Sequence, residues 1–157
     1  MTCEDLDYDG YQTYNDKLTR NFKYGESWSS KRIAHITFKR RVRPDNIFLD
    51  NVLQSAGEAQ KIRDKLGKPL YASSWWRTAK FQYWLYITGR STTDNSKHEL
   101  GIAIDFKTPR GMTPRQFFDF IINECNTNFR GFGIYYWGVH CDMRKTPNNK
   151  IIVFKWN

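Results

Sequence analysis

Little in this chain could be cross-linked, and little could sit in a bilayer. Cysteine occurs three times in 157 residues, at Cys3, Cys125 and Cys141. The odd number and wide spacing exclude a disulfide framework and predict reduced thiols, as in a protein made in the cytoplasm. No apolar run is long enough to span a membrane, so no membrane partner is expected. The acidic opening Met1-Thr-Cys-Glu-Asp-Leu-Asp7 has neither the basic nor the hydrophobic region of a signal peptide. Histidine is scarce too, with only His35, His98 and His140. Repeats and low-complexity linkers are missing, and the length predicts a single domain, residues 1–157, burying roughly two-thirds of its unfolded surface.

Acids are outnumbered, 16 against 25 Lys and Arg, for a formal charge of +9. That excess points to an anionic partner (nucleic acid, anionic lipid or an anionic wall polymer) or simply to solubility. No recognised nucleic-acid-binding motif is present, which sets nucleic acid aside. The charge is unevenly placed. Residues 1–16 carry five acids and no base, and read as an irregular arm. Residues 17–43 hold nine Lys or Arg against Glu26 alone. Within them the alternation from Ile33 to Phe38 predicts a strand running into Lys39-Arg-Arg-Val-Arg43, with His35 an ordinary strand residue. The basic run is either a patch for an anionic polymer or the charged guard of an edge strand. Residues 1–45 therefore read as a basic N-terminal extension.

Pro44-Asp45 breaks the chain and sets an N-cap, after which Phe48, Val52, Ala56, Ala59, Ile62 and Leu66 recur at helical spacing until Gly67. Leu70 to Ser74 reads as a strand delivering Trp75, Trp76 and Arg77 at its end. Phe81 to Ile87 begins an aromatic helix that gives way to a polar loop, residues 88–95. A second clear helix starts at Thr113, with Pro114 at its first position and Gln116 completing a capping box. Gly131-Phe-Gly133 reads as a turn before two strands, Ile134 to Trp137 and Val139 to Met143, and Ile151 to Phe154 supplies the last. The expected class is α+β, a small antiparallel sheet with packed helices.

The stretch Ser96-Lys-His-Glu-Leu-Gly-Ile-Ala-Ile-Asp105 carries the chemistry. Gly101 lets the backbone turn, and Ile102 to Phe106 reads as a buried strand. Asp105 ends an apolar run, where a carboxylate must be paired, hydrogen-bonded or bound to a cation. His98, seven positions earlier, can be its neighbour in a metal site. A catalytic zinc site usually needs a third protein ligand. His140, in Gly131-Phe-Gly-Ile-Tyr-Tyr-Trp-Gly-Val-His-Cys-Asp-Met-Arg144, is the candidate. Cys141 beside it reads as a small buried strand residue facing the other way.

Ser96-x-His98-x-x-Gly101-x-Ala103-x-Asp105, followed by Gly-x-Gly-x-Tyr and Val-His140-x-Asp142, resembles the zinc D-alanyl-D-alanine peptidases and related phage endolysins of the Hedgehog/DD-peptidase fold. Pro69-Leu-Tyr-Ala-Ser-Ser-Trp-Trp-Arg77 is similar to that family's strand ending in a Ser-Gly-Tyr-Arg-type turn. The resemblance spans residues 46–144, the peptidase-like core. It implies a monomeric zinc metallopeptidase, of carboxypeptidase or endopeptidase type, in which His98, Asp105 and His140 hold Zn2+ and Arg77 binds a substrate carbonyl or carboxylate. Peptidoglycan peptides are the implied substrates, with anionic wall polymer as a further partner. The implied location is the cytoplasm of the producing cell until release onto the wall, as in a phage endolysin, or a virion. One departure matters. Where several relatives carry an ionisable general base just before the second metal histidine, this chain has Trp137 and Gly138. Asp142 is the nearest carboxylate and becomes either the base or a group orienting an imidazole, with Glu99 as another candidate base. The competing expectation is a catalytically inactive relative that binds the wall or builds a virion.

Overall fold

The structure is a computed structural model that describes residues 14–156. Most of the expected N-terminal arm, and Cys3, lie outside these residues. The protein is α+β. Strands β1 (Ser29–Ile33) and β2 (Ile36–Val42) form a two-stranded hairpin. Strands β3 (Ala72–Ser74), β4 (Ala103–Lys107), β5 (Gly131–Tyr135), β6 (Gly138–Asp142) and β7 (Ile152–Trp156) form a sheet in the order β3-β4-β6-β5-β7. All its pairings are antiparallel except β5 with β7. Helices α1 (Asn46–Leu66), α2 (Ala79–Ile87) and α3 (Pro114–Glu124) complete the fold. No helix among the described residues is long and apolar enough to cross a membrane.

Alternation along the central strands separates a core from a site. Ile104 pairs with Cys141 and Phe106 with Val139, and all four are buried in the hydrophobic cluster. The intervening residues Asp105 and His140, also paired, point to the opposite face. The core face packs on α1 through Val52, Ala56, Ala59 and Ile62, and on α3 through Phe117, Phe118 and Ile121. Each fully buried Val, Ile or Phe side chain among these contributes about 1.5–3 kcal/mol. Loss of the Phe117 ring, which lies edge-on to Phe106, would cost about 3–5 kcal/mol.

Local signals set the helix ends. Thr113 Oγ1 accepts from Gln116 N at 3.2 Å and Gln116 Oε1 accepts from Thr113 N at 2.8 Å, with Pro114 in the first turn of α3. Gly67 closes α1 in the left-handed region at φ 68°. Asp45 precedes α1 as expected but makes no side-chain cap.

Two local readings are corrected. The Ile33–Phe38 alternation does not mark one strand: Ile33 pairs with Ile36, and the chain reverses through Ala34, at φ 51°, and His35. His35 is therefore an exposed turn residue. The segment from Gly131 to Gly133 is strand, not turn. A Cβ at Gly131 would collide with Asp142 and Arg144, and one at Gly133 would lie 2.7 Å from the Tyr135 ring. These glycines are required by what crosses above them, not by a bend. Within the basic N-terminal stretch, Phe22 joins the core cluster and Ser27 O accepts from Trp76 N at 3.2 Å.

Candidate metal centre

His98, Asp105 and His140 converge on the site face of the sheet, all buried. Each arrives on a different support. His98 stands in a 3₁₀ turn, Lys97–Leu100, locked at its start by reciprocal bonds: Ser96 Oγ accepts from His98 N, and Glu99 Oε2 accepts from Ser96 N at 2.8 Å. Gly101 ends the turn at φ 75°. Asp105 and His140 come from the paired strands β4 and β6. Asp105 Oδ1 lies 3.2 Å from His98 Nε2 and 2.8 Å from His140 Nδ1, and the two nitrogens are 3.2 Å apart.

The outer hydrogen bonds decide which atoms face inward. His98 Nδ1–H donates to the Trp75 carbonyl at 2.5 Å, leaving the Nε2 lone pair toward the cluster. His140 Nε2–H donates to Asp142 Oδ2 at 3.0 Å, leaving Nδ1 inward. Three acceptor atoms thus face one another at 2.8–3.2 Å, an arrangement that calls for a proton or a cation between them. Tetrahedral ligands at zinc bond lengths lie roughly 3.3 Å from each other. The donor set, two imidazoles and a carboxylate, and its spacing both fit such an ion.

Electrostatics agree. Burial and the Arg77 guanidinium hold the His98 imidazole down to about 4, so it is neutral near pH 7. Burial opposes charge on Asp105, but the hydrogen bond from His140 and the Arg77 guanidinium outweigh it and hold the carboxyl well below its usual range. Burial opposes charge on His140 as well, yet its hydrogen bonds to Asp105 and Asp142 raise its pKa. Of the three groups His140 therefore holds a proton most tightly, and a cation in the cluster would compete with that proton.

Arg77, at the end of β3, fixes the second oxygen of Asp105: Nη2 donates to Oδ2 at 2.7 Å. Its Nε donates to Ser74 Oγ at 2.8 Å and its Nη1 to Gln82 Oε1 at 3.1 Å. Gln82 is a residue that sequence reasoning missed. Fully buried in α2, it also donates through Nε2 to Ser91 Oγ and to the Thr93 carbonyl, tying the 88–95 loop to the Arg77 side of the site. A glutamine set among Phe81, Tyr83, Trp84 and Tyr86 is its only signal in the sequence.

Asp142 has no exposed surface and does not border the cavity. Besides His140 it receives the Arg144 fork, Nε to Oδ1 at 2.7 Å and Nη2 to Oδ2 at 2.6 Å, and the Arg144 backbone N–H at 3.1 Å. Burial works against its charge, but the Arg144 and His140 hydrogen bonds hold it far below the usual carboxylate range. Glu99 is occupied by its cap on Ser96. Cys141 is buried on the core face, away from the ligands.

The cluster forms part of the wall of a cavity of about 600 Å³, bounded further by Arg77, Ser96, Tyr135, Trp137 and the 88–95 loop. Asp105 is the one carboxylate among its described lining residues. Tyr135 folds over Gly133, which pairs with His140, and stacks on Trp137 at 4.8 Å. Burial and nearby Asp105 raise its hydroxyl pKa, so it is protonated at neutral pH.

No family model matches this chain, and no curated protein sequence does. Among solved structures, the L-Ala D-Glu endopeptidase ChiX of Serratia marcescens matches with a TM-score of 0.44 and 21% identity, over 63% of this chain and 87% of that one. Likeness at that level identifies neither family nor activity; what the geometry itself establishes is a buried His-Asp-His cluster, at a cavity wall, that can hold a metal ion.

Proposed function

We propose that this protein is a zinc-dependent peptidase that hydrolyses an amide bond in the peptides of a bacterial wall. The observation that carries the reading is the convergence of His98 Nε2, Asp105 Oδ1 and His140 Nδ1, each fixed from behind by a hydrogen bond to Trp75, Arg77 or Asp142. Such backing sets ligand orientation and basicity. The motif resemblance supplies the substrate class. A zinc ion in this cluster would contribute Lewis acidity, polarising a scissile carbonyl and acidifying an attacking water toward neutrality.

The chain's own residues take the remaining roles. Arg77 positions Asp105, and with three of its five N–H bonds engaged it retains two for a substrate carbonyl or carboxylate. We assign Asp142 to orienting His140 rather than to general-base work, since it is sealed from the cavity and saturated by Arg144. The proposal extends to an enzyme acting on the wall after release from the producing cell, as an endolysin, or carried on a virion.

A second reading, an inert wall-binding or virion protein, is favoured by one observation: among the described lining residues no uncommitted carboxylate or imidazole is available as a base. Incubation of the zinc-loaded protein with purified wall peptides, read by mass spectrometry, separates the two. The peptidase reading expects a new amine and carboxylate pair, absent with His140→Ala. One bound zinc and no cleavage would establish the inert reading.

A further inference from the structure

Resting on the reading of the cavity as a peptide site, we propose that Lys155 is a specificity-determining residue, binding a carboxylate that the peptide carries within one or two residues of the scissile bond. The charge around the cavity is strongly one-sided. Arg77, Arg90, Lys97, Arg144 and Lys155 line it, against the single carboxylate of Asp105, which the metal cluster uses. Two of these cations are already engaged, Arg77 by Asp105 and Arg144 by Asp142. Arg90 lies over the Trp84 ring at 4.7 Å. Lys97 and Lys155 have no acidic partner among the described residues.

Register singles out Lys155. Asp105 pairs with His140, His140 with Gly133, and Gly133 with Lys155, so the four form a row across β4, β6, β5 and β7. Phe154 is an extra residue in β7 at this step, and the cavity lining together with the contact to Tyr135 puts Lys155 on the side of the metal cluster. At ~4.8 Å per strand its Cα stands roughly 10 Å from that of His140. Gly133 between them contributes no side chain, and the space above it is filled by the Tyr135 and Phe154 rings, the latter lying edge-on to His140. The Lys155 ammonium lies 5.3 Å from the Tyr135 ring centroid, a cation–π contact that holds it beside the cavity floor. An extended peptide advances roughly 3.3 Å per residue, so a substrate anchored at the cluster brings its neighbouring side chain or terminus to this ammonium. Both lysines are exposed, but Lys97 has no such ring contact, so it adds positive field and fixes no position.

The test is calorimetric, on the zinc-loaded full chain. The probes are an N-methylated, cleavage-resistant Ala-D-Glu-Lys-D-Ala tetrapeptide with free carboxylates and the same peptide fully amidated. The wild type is expected to bind the carboxylate form at least tenfold more tightly. Lys155→Met should bring that preference to within about threefold, whereas Lys97→Met should leave most of it. Equal affinity of the wild type for the two peptides, or a preference that survives Lys155→Met in a folded variant, would overturn the assignment. Because binding is read without turnover, failure of hydrolysis alone leaves this result standing. Cleavage without any carboxylate preference would reject the inference while the peptidase reading stood.

Discussion

Asp142→Asn separates an orienting role from a catalytic one with a near-isosteric change. Asp142 accepts from four N–H groups: His140 Nε2, Arg144 Nε, Arg144 Nη2 and the Arg144 backbone. An asparagine keeps one acceptor oxygen and replaces the other with a donor. With its oxygen toward Arg144 Nε and the backbone, its NH2 faces the His140 Nε2 proton. The imidazole escapes by moving that proton to Nδ1, the atom that faces Asp105 and the metal position. The ligand is then in the wrong tautomer. Loss of such an outer partner typically costs about ten- to a hundredfold in metal affinity, or about 1.4–2.7 kcal/mol. Zinc titration against a competing chelator measures the affinity, and peptide hydrolysis at limiting and excess zinc measures the rate. The expected result is weaker zinc binding with most of the rate restored by excess metal. Unchanged affinity with turnover down by roughly a hundredfold or more would refute this account and make Asp142 the base after all.

His140→Ala should abolish stoichiometric zinc binding while circular dichroism stays native, since one site-face imidazole is lost and the core face is untouched; retained zinc would remove His140 from the ligand set. Arg77→Met should destabilise the fold by about 3–5 kcal/mol, because it leaves the Asp105 carboxylate buried without its cation, and urea unfolding would show it. Acid should unfold the metal-free protein in two stages. The unfolded chain takes up its histidine proton near pH 6.5, well above the value of about 4 for His98, so stability falls between those pH values; the contribution of the raised His140 is already complete below about pH 6.5 and is lost only as the pH rises above it. Below about pH 4 the depressed Asp105 and Asp142 lose their contribution too. Stability that stays flat from pH 7 to 3 would contradict these environments. Replacing Lys31, Lys39 and Arg41 on the hairpin by Gln should weaken binding to intact walls and flatten its salt dependence, with cleavage of a short peptide unaffected.

The His98–Asp105 pair was legible because its chemistry leaves a local trace: a histidine, a glycine turn and a carboxylate ending an apolar run lie within eight residues, whereas His140, far along the chain, came in through the scarcity of histidine and the motif resemblance; α3 was legible locally too, through Thr113, Pro114 and Gln116. What escaped depended on side chains meeting across the fold. Glycine usually marks a turn, but Gly131 and Gly133 sit in β5 because Asp142, Arg144 and Tyr135 occupy the space their Cβ atoms would need. The hairpin turn at Ala34 and His35 contains no glycine, proline or asparagine, and alternation runs unbroken through it. Gln82 and Arg144 matter through partners distant in sequence or on the far side of a ligand, which no period of two or 3.6 residues encodes. The parallel placement of β7 beside β5 is likewise a matter of topology.

The most direct test of the central claim is cleavage of a purified wall peptide by protein stripped with a chelator and then given one equivalent of zinc. Cleavage should disappear on stripping, return with zinc, and fail to return when His98 or His140 is alanine. Cleavage that persists in the stripped protein, or that zinc restores equally to the alanine variants, would contradict that claim.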